Sequence, residues 1–213
     1  SILAAPHDSH AAIQRAVKTA EQGGADLLHI DVMDGQFVPQ VTLWNNPEEI
    51  QAIKTTLPLD VHIMIENPDE RYLDFVHAGA TMLSFHIEAT KDPEVLLSKL
   101  HQWDVKAGIA INPETPVEKL LPYLPLIDYV LVMSVQPGRA GQQFIPGILE
   151  KLVTIKQHRP DIPLQVDGGI NKDTIALVAA AGARIIVSGA TIYNAETPEK
   201  MIASLRRAAQ KSF

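Results

Sequence analysis

Histidine and aspartate recur at the ends of apolar runs in this chain. In His29-Ile30-Asp31-Val32-Met33-Asp34-Gly35, a segment of strand composition carries one imidazole and two carboxylates. Side chains two apart share a strand face, so His29, Asp31 and Met33 project together while Ile30 and Val32 face the other way. Asp60-Val61-His62-Ile63-Met64 repeats the pattern with His62 and Met64 on one face, and Gln165-Val166-Asp167-Gly168-Gly169 ends an apolar run in a carboxylate. Polar groups at this density on a buried face are costly unless they bind something. His29, Asp31, His62 and Asp167 together form a donor set suited to one divalent ion, Zn²⁺, Fe²⁺, Mn²⁺ or Co²⁺. Any one histidine alone reads more readily as a satisfied buried polar group; four donors at strand ends favour a metal site. Asp34 has the opposite parity, lies past the strand end and stands outside it. Met33, Met64 and Met133 fall at strand ends too, as a soft, dry lining or as core filler.

To bring these residues to one point, separate strands must end side by side. Strand-like runs fall at Ile2 to Ala5, Leu27 to Asp31, Leu59 to Met64, Met82 to His86, Val105 to Ile109, Tyr129 to Met133, Leu164 to Asp167 and Ile185 to Ser188. Helical segments alternate with them at Ser9 to Gln22, Pro47 to Thr55, Pro68 to Ala78, Pro93 to Gln102, Pro116 to Leu121, Pro146 to His158, Asp173 to Ala180 and Pro198 to Ala209. Several open on proline, whose missing N–H is harmless in a first turn. Asn67 and Thr197 are expected to cap the helices that follow them. A βα unit repeated eight times, with strands rich in Val, Ile and Leu, predicts a parallel sheet covered by helices and closed as a (β/α)₈ TIM barrel. No G-x-G-x-x-G follows the first strand, which disfavours an open doubly wound sheet. Gly24-Ala25, Gly79-Ala80 and Gly182-Ala183 each precede a strand, a weak internal repeat. In such a barrel chemistry sits at the C-terminal strand ends, where the His and Asp residues fall.

The chain has 213 residues, 46% of them hydrophobic, which fits one barrel domain over residues 1–213. A net charge of −7 with no basic run argues against nucleic acid or an anionic membrane as partner. No apolar stretch approaches the roughly 20 residues that span a bilayer, and a soluble, cytoplasmic protein is expected. The absence of cysteine removes thiolate ligands and disulfides.

Three loops complete the candidate site. Ser134 to Phe144 is polar and carries Gly138 and Gly141, the composition of an active-site lid, although an ordinary surface loop reads the same way. Gly168-Gly169 and Ser188-Gly189-Ala190 follow the last two strands, where barrels bind phosphate through main-chain N–H groups. His86 and Glu88 line the mouth or hold the rim together. Trp44 is a candidate cover for the site or an oligomer contact. His7, His10, His77, His101 and His158 are assigned to solvent.

Over essentially its whole length the chain resembles the ribulose-phosphate 3-epimerase family. The matching motifs are the 29–35 segment with Phe37-Val38-Pro39, Val61-His62-Ile63-Met64, Phe85-His86-Ile87-Glu88-Ala89-Thr90, Asn112-Pro113-Glu114-Thr115-Pro116, Met133-Ser134-Val135 with Pro137-Gly138, Val166-Asp167-Gly168-Gly169-Ile170 and Val187-Ser188-Gly189. The resemblance implies a phosphate-binding barrel that interconverts D-ribulose 5-phosphate and D-xylulose 5-phosphate, working as a homodimer or hexamer. It implies metal ligands at His29, Asp31, His62 and Asp167, with Asp31 and Asp167 also exchanging the C3 proton from opposite faces of a metal-stabilised enediolate. Candidate substrate contacts are Ser1, His62, Met33, Met64 and Met133. Gly138, Arg139, Ala140, Gly141, Gly168, Gly169, Gly189 and Ala190 are the candidate phosphate contacts. Where the family's lid reads Asn/Glu-Pro-Gly-Phe-Gly-Gly, this chain has Gln136-Pro137-Gly138-Arg139-Ala140-Gly141, so Arg139 is placed to grip a phosphate or to point into solvent. Ala190 stands where the family often has Ser, Pro6 for Asp or Asn, Trp44 for Gly and Gln40 for Asn. These departures keep two alternatives open: a 3-epimerase for allulose 6-phosphate or another ketose phosphate, and a barrel that binds a sugar phosphate without turnover.

Overall fold

Alternation within each strand decides the layering. Ile30 and Val32, Val61 and Ile63, Leu83 and Phe85, Ile109 and Ile111, Val130 and Val132, and Leu164 and Val166 all join one core beneath the helices. The intervening residues face the barrel interior. The computed structural model describes residues 1–212, and among them seven parallel strands run in sequence order around the barrel. They are β1 (Leu28–Met33), β2 (Leu59–Met64), β3 (Met82–His86), β4 (Lys106–Ile111), β5 (Tyr129–Met133), β6 (Leu164–Asp167) and β7 (Ile185–Val187). Before, between and after them lie α1 (His10–Gln22), α2 (Pro47–Gln51), α3 (Pro68–His77), α4 (Pro93–His101), α5 (Ile148–His158), α6 (Thr174–Ala180), α7 (Ala190–Tyr193) and α8 (Pro198–Gln210). This is a (β/α)₈ TIM-barrel-like fold. Its register sets His29 beside Asp60, Asp31 beside His62, Met33 beside Met64, and Met133 beside Asp167.

Local chemistry accounts for the boundaries. Ser9, Asn46 and Asp92 cap α1, α2 and α4 through their side chains, each accepting a main-chain N–H at 3.2 Å. The caps expected from Asn67 and Thr197 are not made by side chains: Asn67 takes a left-handed conformation, and in both cases the main-chain carbonyl serves the helix instead. The three Gly-Ala repeats share one closure. Gly24, Gly79 and Gly182 take positive φ, and the alanine N–H after each returns to a carbonyl five residues back (Ala20, Phe75 and Val178), a helix-stopping turn that also aims the next strand.

Two predicted elements, one unpredicted helix and the place of Trp44 differ. Ile2 to Ala5, expected as the first strand, is a 3₁₀ turn at Ile2–Ala4, with the Ser1 hydroxyl accepting from the Leu3 N–H. Residues 117–126, expected to open as an α-helix, form two 3₁₀ turns, because Pro122 and Pro125 each remove a donor. The short α7 was not anticipated. Trp44 is 2% exposed within the main core, in the 3₁₀ turn Leu43–Asn45, so it neither covers the mouth nor offers a surface to a partner.

Inside the barrel the packing is uneven. On one side Ala110, Leu131, Met133 and Val135 form an apolar cluster. Gly108 lies under the Tyr129 ring so closely that a Cβ there would sit 2.4 Å from its Cζ. On the other side the interior is polar, with His29, Asp31, Asp60, His62, Ser84, His86 and Gln165 all buried. Where β7 faces β1 the two strands do not pair, and a cavity of about 310 Å³ lies along that seam, lined by Leu28, His29, Asp60, Gln165, Ile186 and Leu205 among others.

Candidate active site and metal centre

The polar half of the interior converges near the C-terminal strand ends. His29, Asp31, His62 and Asp167 each offer one ligand atom, and these four atoms all lie within 4.8 Å of one another. Strand parity delivers them: His29 and Asp31 come from one face of β1, His62 from the paired position on β2, and Asp167 from the end of β6. Ser134 fixes that last strand end, its hydroxyl donating to the carbonyls of Asp167 at 2.9 Å and Gly168 at 2.5 Å.

The outer nitrogens of both histidines are already engaged. His29 Nδ1 lies 2.7 Å from Asp60 Oδ2, which also accepts from the Gln165 amide. His62 Nε2 lies 2.9 Å from His86 Nε2, and His86 Nδ1 lies 3.2 Å from Glu88 Oε2. The inner nitrogens face the carboxylates. His62 Nδ1 is 3.3 Å from Asp31 Oδ1, and His29 Nε2 is 3.4 Å from the same oxygen and 3.8 Å from Asp167 Oδ2. His29 Nε2 is buried without a hydrogen-bond partner of good geometry. Ser1 donates its hydroxyl to Asp31 Oδ2 at 2.6 Å.

Electrostatics agree with a cation at this point. Burial opposes charge on His29, but Asp60 and Asp31 outweigh it and lift the imidazole to about 10. Burial raises Asp31, and His29 and His62 more than reverse it, holding this carboxyl well below its usual range. Asp167, buried and facing Asp31, is pushed up to about 6. Two carboxylates that draw a proton so strongly onto a buried imidazole also draw a metal cation, and the nitrogen and oxygen donors suit a first-row divalent ion. The residues present therefore fit such a metal.

Above the cluster opens a cavity of about 520 Å³, whose wall includes Asp31 and Asp167. Ser1, Met33, Met64, Met133, Gly138, Arg139, Ala140, Gly141, Gly168, Gly169, Gly189 and Ala190, singled out in the sequence, all line it. His62 is not on this wall; it lies beneath, fully buried. Gly168 and Gly169 turn the chain sharply at φ +118° and +63°, and a Cβ on Gly168 would sit 2.4 Å from Val135. The lid 136–141 reaches across to the loop after β1, with Gly138 packed against Gln40 and Val38. Gln142 pins the lid from beneath, donating to the carbonyls of Gln136 at 2.6 Å and Arg139 at 2.9 Å. Arg139 is exposed and makes no ion pair or hydrogen bond through its guanidinium among the described residues.

Sequence reasoning missed Asp60 and Gln165. The signal was present for both: Asp60 shares its strand face with His62, and Gln165 shares one with Asp167. Asn171, Thr191 and Asn194 also line the cavity and were not singled out. Asp34 is explained by the loop, where it accepts main-chain N–H groups from Gln36, Phe37 and Glu66.

The model of the ribulose-phosphate 3 epimerase family matches residues 1–193. The chain belongs to that family. A ribulose-phosphate 3-epimerase of Bacillus subtilis is 41% identical over 213 residues, covering 97% of this chain and 96% of that protein. The Mycobacterium tuberculosis enzyme of the same name is 42% identical over 198 residues, covering 91% and 86%, and that of Schizosaccharomyces pombe is 40% identical over 195, covering 89% and 84%. The protein is thus an isomerase, an epimerase acting on carbohydrate phosphates. Among solved structures, a 3-hexulose-6-phosphate synthase superposes with a TM-score of 0.64 at 20% identity, covering 91% of this chain and 92% of that one. A Pyrococcus furiosus thiamine phosphate pyrophosphorylase superposes with 0.65 at 20% identity, covering 93% and 90%. At that identity these two speak for the fold alone. No helix among the described residues is long and apolar enough to cross a membrane.

Proposed function

We propose that the protein interconverts D-ribulose 5-phosphate and D-xylulose 5-phosphate by inverting C3, with His29, Asp31, His62 and Asp167 holding a divalent metal and Asp31 and Asp167 exchanging the proton. The observation that carries this reading is the meeting of two carboxylates from different strands on one cavity wall, beside two imidazoles whose inner nitrogens point at them. A divalent metal held there would supply Lewis-acid stabilisation for the negative charge that develops as C3 loses its proton. One aspartate takes the proton from C3, breaking the C–H bond, and the other returns a proton to the opposite face. Asp31, held below the usual range, suits an ionised base, and Asp167, raised to about 6, takes up and returns a proton more readily than an ordinary carboxylate, with the roles exchanging in the reverse direction. Ser1, donating to Asp31, orients that carboxylate. Met33, Met64 and Met133 exclude water from the reacting carbon. The phosphate lies against the main chain at Gly168, Gly169, Gly189 and Ala190, where the absence of side chains in three of the four lets an anion approach, and Arg139 closes over it.

Metal analysis of the purified protein paired with an epimerisation assay on pentulose and hexulose phosphates tests this. Bound metal with a preference for ribulose 5-phosphate is expected. Faster turnover of allulose 6-phosphate, or no exchange of C3 hydrogen with solvent deuterium in the metal-loaded protein, overturns it.

A further inference from the structure

We propose that Glu88 is a positioning residue that acts on the His/Asp cluster through His86, fixing which nitrogen of His62 carries the proton. The inference rests on His62 serving as a metal ligand. Glu88 follows β3, and its Oε1 accepts from the Asn112 main-chain N–H at 2.9 Å and from the Thr115 hydroxyl. A main-chain N–H can only donate, so Oε1 is an acceptor, and the second oxygen, Oε2, is the one that meets His86 Nδ1 at 3.2 Å. The two donors on Oε1 favour the ionised carboxylate, which can only accept at Oε2. Nδ1 of His86 therefore donates.

An uncharged imidazole has a single N–H, so Nε2 of His86 presents a lone pair. It faces Nε2 of His62 at 2.9 Å, and of two such nitrogens one must donate; here it is His62. His62 is left with a bare lone pair on Nδ1, the nitrogen that joins Asp31 and the other inner atoms. Both rings are fully buried and stacked, with centroids 5.0 Å apart, so neither can turn to reverse the order without losing a partner. Glu88 is thus coupled to the cluster across two rings. Asp60 does the same for His29 in one step.

Glu88→Gln is a near-isosteric reversal. Asn112 and Thr115 hold the side-chain oxygen on their side, so the amide NH₂ faces His86 Nδ1 and makes it an acceptor. The order then inverts, and the proton of His62 moves to Nδ1. The test is nitrogen-15 NMR of the imidazoles in metal-free protein, repeated after zinc loading, with zinc affinity measured by chelator competition in wild type and Glu88→Gln. Expected are a proton on Nδ1 of His86 and Nε2 of His62 in the unmodified protein, and a zinc affinity about 10- to 100-fold weaker in the variant. The metal-free melting temperatures should stay within a few degrees of each other, which a merely structural role would not allow. A proton on Nε2 of His86 in the unmodified protein overturns the proposal whether or not the variant folds. So does a zinc affinity in the variant within twofold of wild type. Failure of zinc to shift His29 and His62 resonances overturns the metal reading, and this proposal with it.

Discussion

Removing one of the two aspartates tests the two-faced proton transfer more sharply than loss of activity alone. Asp31 and Asp167 come from β1 and β6, and both reach the cavity wall. In the proposed mechanism a substrate between them would have C3 exposed to one carboxylate on each face. In Asp167→Asn, Asp31 can still remove the proton from the epimer whose C3–H faces it, and solvent deuterium can then replace it there. The opposite face has no acid, so inversion stops. Loss of a general acid or base typically costs about 10²- to 10⁴-fold, which at 1.36 kcal/mol per decade is about 3–5 kcal/mol of barrier. Asp31→Asn should show the mirror image: exchange confined to the other epimer. The assay is NMR observation of C3 deuterium in ribulose 5-phosphate and xylulose 5-phosphate separately, with metal content measured for each variant. If both variants retain metal and exchange the same epimer, or if either still epimerises at more than a tenth of the normal rate, the two-faced assignment is wrong.

Asp60→Asn removes the charge that holds His29 Nδ1–H, and zinc affinity measured by chelator competition should fall about 10- to 100-fold. Arg139→Ala should raise the KM for sugar phosphate while leaving kcat within about twofold, and the KM should become less sensitive to salt, because the guanidinium has no other partner among the described residues. Gly108→Ala drives a methyl to 2.4 Å from the Tyr129 ring and should destabilise the barrel by about 1–3 kcal/mol in urea unfolding; an unchanged midpoint would show that Tyr129 can move aside.

Much of the fold was legible because strand parity is a strong constraint. Ile30 and Val32 pack under the helices while His29, Asp31 and Met33 face inward, as alternation alone requires, and the same rule carries His62 and Met64. Elements set by a few residues were less visible. α7 is four residues long, too short for any periodicity, and Ile2 to Ala5 has strand composition but turns at Ser1. Trp44 was misplaced because composition does not distinguish an aromatic that covers a mouth from one that fills a core. The four inner donors could be read from residue type and strand position. The residues that orient them could not be ranked so easily. Asp60 sits at the start of β2, a place that ordinary rim residues share, and His86 meets His62 only through the pairing of β2 with β3.

The unpaired seam between β1 and β7 gives the cluster two neighbours of different kind. Asp31 and Asp167 face the larger cavity, whereas His29, Asp60 and Gln165 border the seam cavity behind it. A sugar phosphate resting on the carboxylates covers the front and leaves the rear as it was. On the metal reading proposed above, loading and loss of the ion would run through this rear cavity, independent of substrate traffic. A small chelator should strip the metal from substrate-saturated protein nearly as fast as from free protein, and bulky side chains introduced at Ile186 should slow that leak without touching the reaction chamber.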